Sequence, residues 1–290
     1  MIGGDEVNTE KNRDTAYCHN EYDPLKKVIT VSPRYMQINE VINQTQAYYV
    51  NDNINQTKAV EQHANLIHHM ESIGIEVIKL NELEHLNEQV FTRDIGFTIG
   101  NTFFVSAMKE DIRKKEQNIL LDWLQRNKVA YFPFETASIE GGDVIIDHSK
   151  VWVGISDRTS KEAVAVLQSQ LPNHEVSPIK LRKNILHLDC IFNIIDAQTA
   201  LIYPPAMDSD AYLMLKEEYT LIEVTEEEQF HLGPNVLSLG NKHVISLPEN
   251  KRMNQKLTEM GFRITEVPFS EIIKSGGSFR CCTLPLIRTS

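Results

Sequence analysis

Four apolar hairpin patterns recur along the chain at nearly constant spacing. They are IGFTIGNTFFVSA (95–107), VIIDHSKVWVGIS (144–156), CIFNIIDAQTALIYP (190–204) and VLSLGNKHVISL (236–247), each reading as strand, turn, strand. The turns fall at Gly100, His148, Ala197 and Gly240, in steps of 48, 49 and 43 residues. A step of that size marks a repeated supersecondary unit, which confines the chain to folds in which copies of one unit stack or circle a common axis.

Between the hairpins a helical pattern leads into a short strand. Helices are expected at 57–73, 110–127, 160–171, 208–218 and 250–260, followed by IEVIKL, VAYFPF, HEVSPI, TLIEV and FRITEV. Ile112, Ile119, Leu120 and Trp123 keep roughly helical spacing in the second, and Thr159 with Glu162 resembles a capping box opening the third. An ordinary α/β chain without a repeat is the alternative, and the agreement of five units favours the repeat. The 290 residues suit one catalytic domain, 1–290, with residues 1–15 expected as a flexible N-terminus.

Charge narrows the partner. Forty acidic against 29 basic residues give a net charge of −11, which argues against a phosphate backbone and favours a small cationic guest. No apolar run approaches the roughly 20 residues that span a bilayer, and the start, MIGGDEVNTEKNRD, is polar, so a cytoplasmic protein with no membrane partner is expected. Four cysteines, Cys18, Cys190, Cys281 and Cys282, make no disulfide framework in a chain this long, and reduced thiols are the default.

Polar residues gather at one place in the repeat, just before the first strand of each hairpin: Asp94 in FTRD, Glu140 and Asp143 in EGGD, His187 and Asp189 in HLD, Asn235 in GPN, and the stretch from Gly276-Gly277 to Cys281. Around a pseudo-symmetry axis these positions converge. A thiolate can attack, a histidine can protonate a leaving group and then activate water, and carboxylates accept hydrogen bonds from a planar cation such as a guanidinium. His187 and Asp189, two apart in an extended segment, should face the same way, and the glycines between Glu140 and Asp143 permit close approach. Each piece has a bland alternative: His187 as a satisfied core residue, Asp94 paired with Arg93 or Arg113, GGD as a turn, the cysteines as small buried hydrophobes. Zinc is a further option, although the adjacent cysteines lack the usual CxxC spacing.

FTRD, EGGD, a downstream RTS, HLD and GGxxxC, in this order, resemble the guanidino-group-modifying enzymes, namely arginine deiminases, dimethylarginine dimethylaminohydrolases and amidinotransferases, with most likeness to the dimethylarginine hydrolases. The resemblance covers most of the chain, from EYDPLKKVITVSP to the final cysteines. It implies a pseudo-symmetric five-bladed α/β propeller, or pentein, of ββαβ units. It also implies Cys281 as nucleophile, His187 as general acid and base, Asp94 and Glu140 as guanidinium-binding carboxylates, and Asp189 as the third acid of an arginine-deiminase HxD pattern. Arg158 and Arg113 match arginines that hold the substrate carboxylate, with Glu88 and Phe91 completing the substrate contacts. The implied reaction cleaves a guanidino C–N bond of arginine or a methylated arginine to citrulline through a thiouronium on sulfur, with no metal or cofactor. The motifs are mixed: FTRD and HLD look like arginine deiminase, the adjacent cysteines like dimethylarginine hydrolase, and Glu88 stands where those families carry Asn and Asp. Ammonia, methylamine or dimethylamine as leaving group, amidino transfer, a non-catalytic binding protein and a homodimer all stay open.

Overall fold

The computed structural model describes residues 15–289, so all of the expected flexible N-terminus except Thr15 lies outside the described residues. The chain forms β1 (Leu25–Val31), α1 (Gln44–Tyr49), α2 (Gln56–Ser72) and β2 (Glu76–Leu80). The hairpin β3 (Gly96–Ile99) and β4 (Thr102–Val105) then leads through α3 (Glu116–Arg126) to β5 (Tyr131–Pro133). The same order repeats in β6 (Val144–Asp147), β7 (Lys150–Ile155), α4 (Lys161–Gln170) and β8 (Glu175–Lys180). It recurs in β9 (Phe192–Asp196), β10 (Thr199–Ile202), α5 (Ser209–Glu218) and β11 (Thr220–Glu223). After α6 (Glu226–Phe230) come β12 (Leu237–Gly240), β13 (His243–Ser246), α7 (Lys251–Glu259) and β14 (Arg263–Glu266), and the chain ends with α8 (Ser270–Ile273) and β15 (Leu284–Arg288).

These strands make five three-stranded sheets, each with an antiparallel hairpin and a third strand parallel to the hairpin's second. The parallel pairing is what demands the helix, because a chain must cross back over the sheet to lay a strand parallel to its predecessor. Burial grades outward along each sheet. The inner strands β3 and β12 are buried at every residue, whereas the outer strands β2 and β14 keep mostly partial or full exposure. Inner strands are covered on both faces and therefore read as continuous apolar runs; outer strands are covered on one side by a helix. On α2 the buried Ala59, Gln62, His63, Leu66, Ile67 and Met70 form one stripe at helical spacing. The fold is the expected five-bladed α/β propeller.

The ends of the chain close it. β15 pairs antiparallel with β1, Leu284 opposite Ile29, and β1 pairs parallel with β2, so the first blade borrows its inner strand from the C-terminus. Contacts between β15 and β3, and between β1 and β12, join that blade to both neighbours. This explains why only four hairpins are visible in sequence beside five helix-strand units: the fifth hairpin is split between the two ends. Two local expectations change. Ser160, one residue beyond Thr159, caps α4 by accepting from the Ala163 amide, and Thr159 instead accepts from the Glu140 amide. The second helix starts at Glu116, since Asp111–Arg113 turn as a separate 3-10 segment.

Gly240 sits in the β12–β13 turn at φ +95°, where a Cβ would collide with the Pro24 backbone, while Gly74, at φ +86°, has open space around it. Gly74→Ala should cost about 1 kcal/mol of stability, for the backbone alone. Gly240→Ala should cost about 3 kcal/mol, because a backbone clash adds to the strain. Urea denaturation of the two variants checks the difference; equal losses would refute the close packing of this turn on the N-terminal approach.

Candidate active site

In every blade the approach to the inner strand is a tight turn, and all five turns meet at the axis. Gly141–Asp143, Leu188–Cys190 and Gly233–Asn235 are 3-10 turns, the first and third each in contact with the second. Such turns aim side chains off the strand direction and inward. Asp94, Glu140, His187, Asn235 and Cys281 occupy equivalent places and are all buried.

His187 is the centre of the cluster. Its Nε2 lies 2.8 Å from Glu140 Oε2, and its Nδ1 lies 3.5 Å from Asp94 Oδ1. Burial alone disfavours the imidazolium, but the Asp94 charge and the Glu140 hydrogen bond outweigh it and push His187 from 6.5 up to about 10. Burial likewise opposes ionisation of Glu140, yet its bond to His187 and the nearby Arg113 and Arg158 hold it below the usual carboxylate range. Gly142 is required here: a Cβ on it would come within 2.7 Å of His187 Nδ1 and 2.8 Å of Asp94 Oδ1. The glycine thus makes room for this pair of side chains. Asp94, Glu140 and His187 each bring one ligand atom within 4.8 Å of the others, the spacing of a metal trio. A metal bound there would have to displace a proton from His187.

A narrow pocket opens over this centre, lined by Glu88, Phe91, Asp94, Arg113, Arg158, His187 and Cys281 together with the lip residues Ile42, Asn43, Leu186 and Ser275–Gly277. Ile42, Asn43, Arg158 and Leu186 also line an outer depression bearing Glu110 and Asp157, an acidic approach suited to a cation. Asp94 Oδ1, His187 Nδ1 and Arg158 Nη1 are buried without hydrogen-bond partners among the described residues, although Asp94 Oδ1 stands 3.5 Å from His187 Nδ1 and Arg158 Nη1 stands 3.6 Å from Glu140 Oε2. Glu88, pushed up to about 7 by burial, accepts from Ser275 Oγ and Gln46 Nε2, each at 2.9 Å. The Phe91 ring lies 5.9 Å from the Arg113 guanidinium.

Other candidates are placed differently from their sequence spacing. Arg113 lines the pocket, but its nitrogens donate to Asp94 Oδ2 at 2.6 Å, to both Glu116 carboxylate oxygens and to the Phe91 carbonyl. Glu140 is not among the lining residues; its Oε2 meets His187 Nε2 at 2.8 Å and Arg158 Nη1 at 3.6 Å. The extended HLD segment is in fact a turn, and it separates the two side chains that were to share a face: His187 points to Glu140, whereas Asp189 lies behind Cys281, its Oδ2 3.7 Å from Sγ and 3.4 Å from Arg280 Nε. Burial raises the Asp189 carboxyl. Asp143 accepts from the Leu188 amide and Ser156 Oγ, tying the third blade to the histidine turn. Asn235 has a contact that sequence alone did not assign: its Nδ2 donates to Cys281 Sγ at 3.1 Å, and its Oδ1 accepts from the Cys281 amide at 3.1 Å. Its repeat position before β12 was the available signal. Cys282 is fully buried in the same turn, as packing alone would have it.

Residues 32–288 match the family model described as N,N dimethylarginine dimethylhydrolase, eukaryotic. The chain belongs to this family of guanidino-group-modifying enzymes. It is 49% identical to the uncharacterized protein YkgA of Bacillus subtilis over 98% of this chain and 99% of the relative. It is 29% identical to the N(G),N(G)-dimethylarginine dimethylaminohydrolase of Mycobacterium tuberculosis, covering 74% and 71% of the two chains. The N-terminal domain of ArgZ, an arginine dihydrolase from cyanobacteria, superposes with a TM-score of 0.85 at 24% identity, over 92% of this chain and 98% of that domain, and shares the fold. The family is one of enzymes acting on guanidino groups. Among the described residues no helix is long and apolar enough to cross a membrane.

The raised His187 pKa has a definite sign in stability. Folding favours the protonated ring, so the contribution is complete below pH 6.5 and is lost as pH rises from 6.5 to about 10. The stability gap between the wild type and His187→Gln should shrink steadily over that range in denaturation curves taken at successive pH values. A gap independent of pH would contradict the buried imidazolium.

Proposed function

We propose that the chain is a hydrolase that cleaves a guanidino C–N bond of arginine or an N-methylated arginine, releasing an amine or ammonia and leaving citrulline. The observation that carries the reading is that one pocket presents a cysteine thiol, a protonated histidine and an unpaired buried carboxylate oxygen. Asp94 Oδ1 accepts from the substrate guanidinium and holds its central carbon before Cys281. Asn235 fixes Sγ, and Asp189, made more basic by burial, takes the thiol proton. A C–S bond forms, His187 delivers its proton to the departing nitrogen, and the C–N bond breaks. The neutral imidazole, oriented by Glu140, then deprotonates water; the hydroxide adds to the thiouronium carbon and the sulfur leaves as the ureido product forms.

Arg158 holds the substrate carboxylate: it lines the pocket, and its Nη1 makes no hydrogen bond, with Glu140 Oε2 3.6 Å away. Its Nη2 donates to the Ile42 carbonyl at 2.8 Å, which orients the guanidinium and ties it to the pocket lip. Arg113 instead orders Asp94. Glu88 lines the same pocket and is the carboxyl group we assign to the substrate amino group.

A panel of guanidino compounds assayed for ureido product and for the released amine tests the substrate class; transfer to an added amine in place of ureido product would redirect the reading to amidino transfer. Cys281→Ser should abolish turnover and the trapping of a covalent adduct, while Cys282→Ser retains most activity; an active Cys281→Ser variant would overturn the assignment. Arg158→Gln should raise KM about 10- to 100-fold for substrates carrying a carboxylate, from loss of a charged hydrogen bond, and change KM little for decarboxylated analogues. Equal KM effects on both would remove Arg158 from carboxylate binding.

A further inference from the structure

The proposed reaction leaves one thiol beside the site unused. Cys190 ends the Leu188–Cys190 turn and is buried. Its Sγ lies 3.7 Å from Asp189 Oδ1, and Cys281 Sγ lies 3.8 Å from the same oxygen. Asn235 pins the two turns together, because its Nδ2 donates both to the Asp189 carbonyl and to Cys281 Sγ, each at 3.1 Å. The two sulfurs are within hydrogen-bonding reach of each other: that bond first, and burial second, raise the Cys190 thiol well above its ordinary value. A disulfide needs two side chains already brought together by their backbones, and these turns meet that demand across two blades of the propeller.

The other cysteines do not compete for the pairing. Cys282 follows Cys281 directly in the chain, and a bridge between adjacent residues forms only with strain. Cys18 belongs to a different apolar cluster, its thiol directed to the Pro285 carbonyl at 3.9 Å. Cys190 and Cys281 also open to different spaces. Cys281 lines the narrow pocket, while Cys190 lines a wider outer cavity of about 550 Å³ bordered by Tyr48, Ile185 and Phe230. A small oxidant can meet Cys281 through the first, and a reducing thiol can reach the pair from the second, the two kinds of access that reversible thiol oxidation requires.

We infer that Cys281 and Cys190 form a peroxide-responsive dithiol site, in which oxidation of Cys281 is resolved by Cys190 to a reversible disulfide. The Cys281 sulfur attacks hydrogen peroxide; the O–O bond breaks, the departing hydroxide leaves as water with the thiol proton, and Cys281 becomes a sulfenic acid. Asp189 takes the Cys190 proton, the Cys190 sulfur attacks the sulfenic sulfur, and the S–O bond breaks. The second hydroxide recovers the proton from Asp189 and leaves as water. Two thiols have lost two electrons and one peroxide has gained them. Turnover stops while the bridge lasts, a consequence that rests on Cys281 being the nucleophile; formation of the bridge does not.

Peptide mapping of the full chain under non-reducing conditions, after treatment with hydrogen peroxide and alkylation of free thiols, tests the inference. The wild type should yield a Cys190–Cys281 linked peptide lighter by two hydrogens, and activity should fall as the link accumulates and return with dithiothreitol. In Cys190→Ala excess peroxide should carry Cys281 on to the sulfinic acid, with a loss of activity that dithiothreitol does not restore. No linked peptide, a link from Cys281 to Cys18 or Cys282 instead, or sulfinic acid at Cys281 at the same rate in both proteins would each overturn the inference. A bridge that forms while turnover continues would overturn its control of activity and, separately, the assignment of Cys281 as nucleophile. Mapping of the wild type decides whether the pair forms even where Cys190→Ala does not fold.

Discussion

At the axis of the propeller, His187 lies between Asp94 and Glu140, Arg113 joins Asp94 to Glu116, and Arg280 joins Glu21 to Asp189, all out of water. Charges in such surroundings persist only when each has a partner of opposite sign in good geometry. The rest of the site follows from that requirement. Histidine is held as imidazolium because two carboxylates flank it, and those carboxylates stay ionised because histidine and arginine face them. Removing one member leaves another unpaired, so the cluster behaves as a unit.

The same arrangement leaves deliberate gaps. Asp94 gives one oxygen to Arg113 and makes no hydrogen bond with the other, which faces His187 at 3.5 Å, and Arg158 Nη1 makes none either, with Glu140 at 3.6 Å. On the proposed reading, a cationic substrate with a carboxylate at its far end would supply the missing hydrogen bonds, and affinity would concentrate on ligands carrying both groups.

Closure of the ring places Cys281, the proposed nucleophile. Cys281 precedes β15, and β15 has a sheet only because β1, more than 250 residues earlier in the chain, accepts it. The thiol is then fixed from three blades at once: Asn235 contacts Sγ, Asp189 lies behind it, and the Arg93 amide holds the Cys281 carbonyl. A site assembled from turns on separate blades has no local sequence of its own.

Sequence alone determined the repeating unit, because inner strands buried on both faces must be continuously apolar and the helices between them must carry an apolar stripe; VIIDHSKVWVGIS and the α2 pattern show this without any contact being known. It also located the five polar positions, since a repeat puts equivalent residues at one end of an axis. Partner choice needed the tertiary structure. The 3-10 turn at Leu188–Cys190 sends Asp189 to Cys281 and His187 to Glu140, although alternation along a strand would have put them on one face. Arg113 looks in sequence like a ligand-binding cation, and only the approach of Glu116 and Asp94 shows its donors in use. Glu21 and Arg288 lie near opposite ends of the chain, yet they line one buried charged cavity. Periodicity is set by which faces meet water, which composition records residue by residue; the pairing of charges depends on distances of a few ångströms between turns from different blades, which only the closed ring fixes.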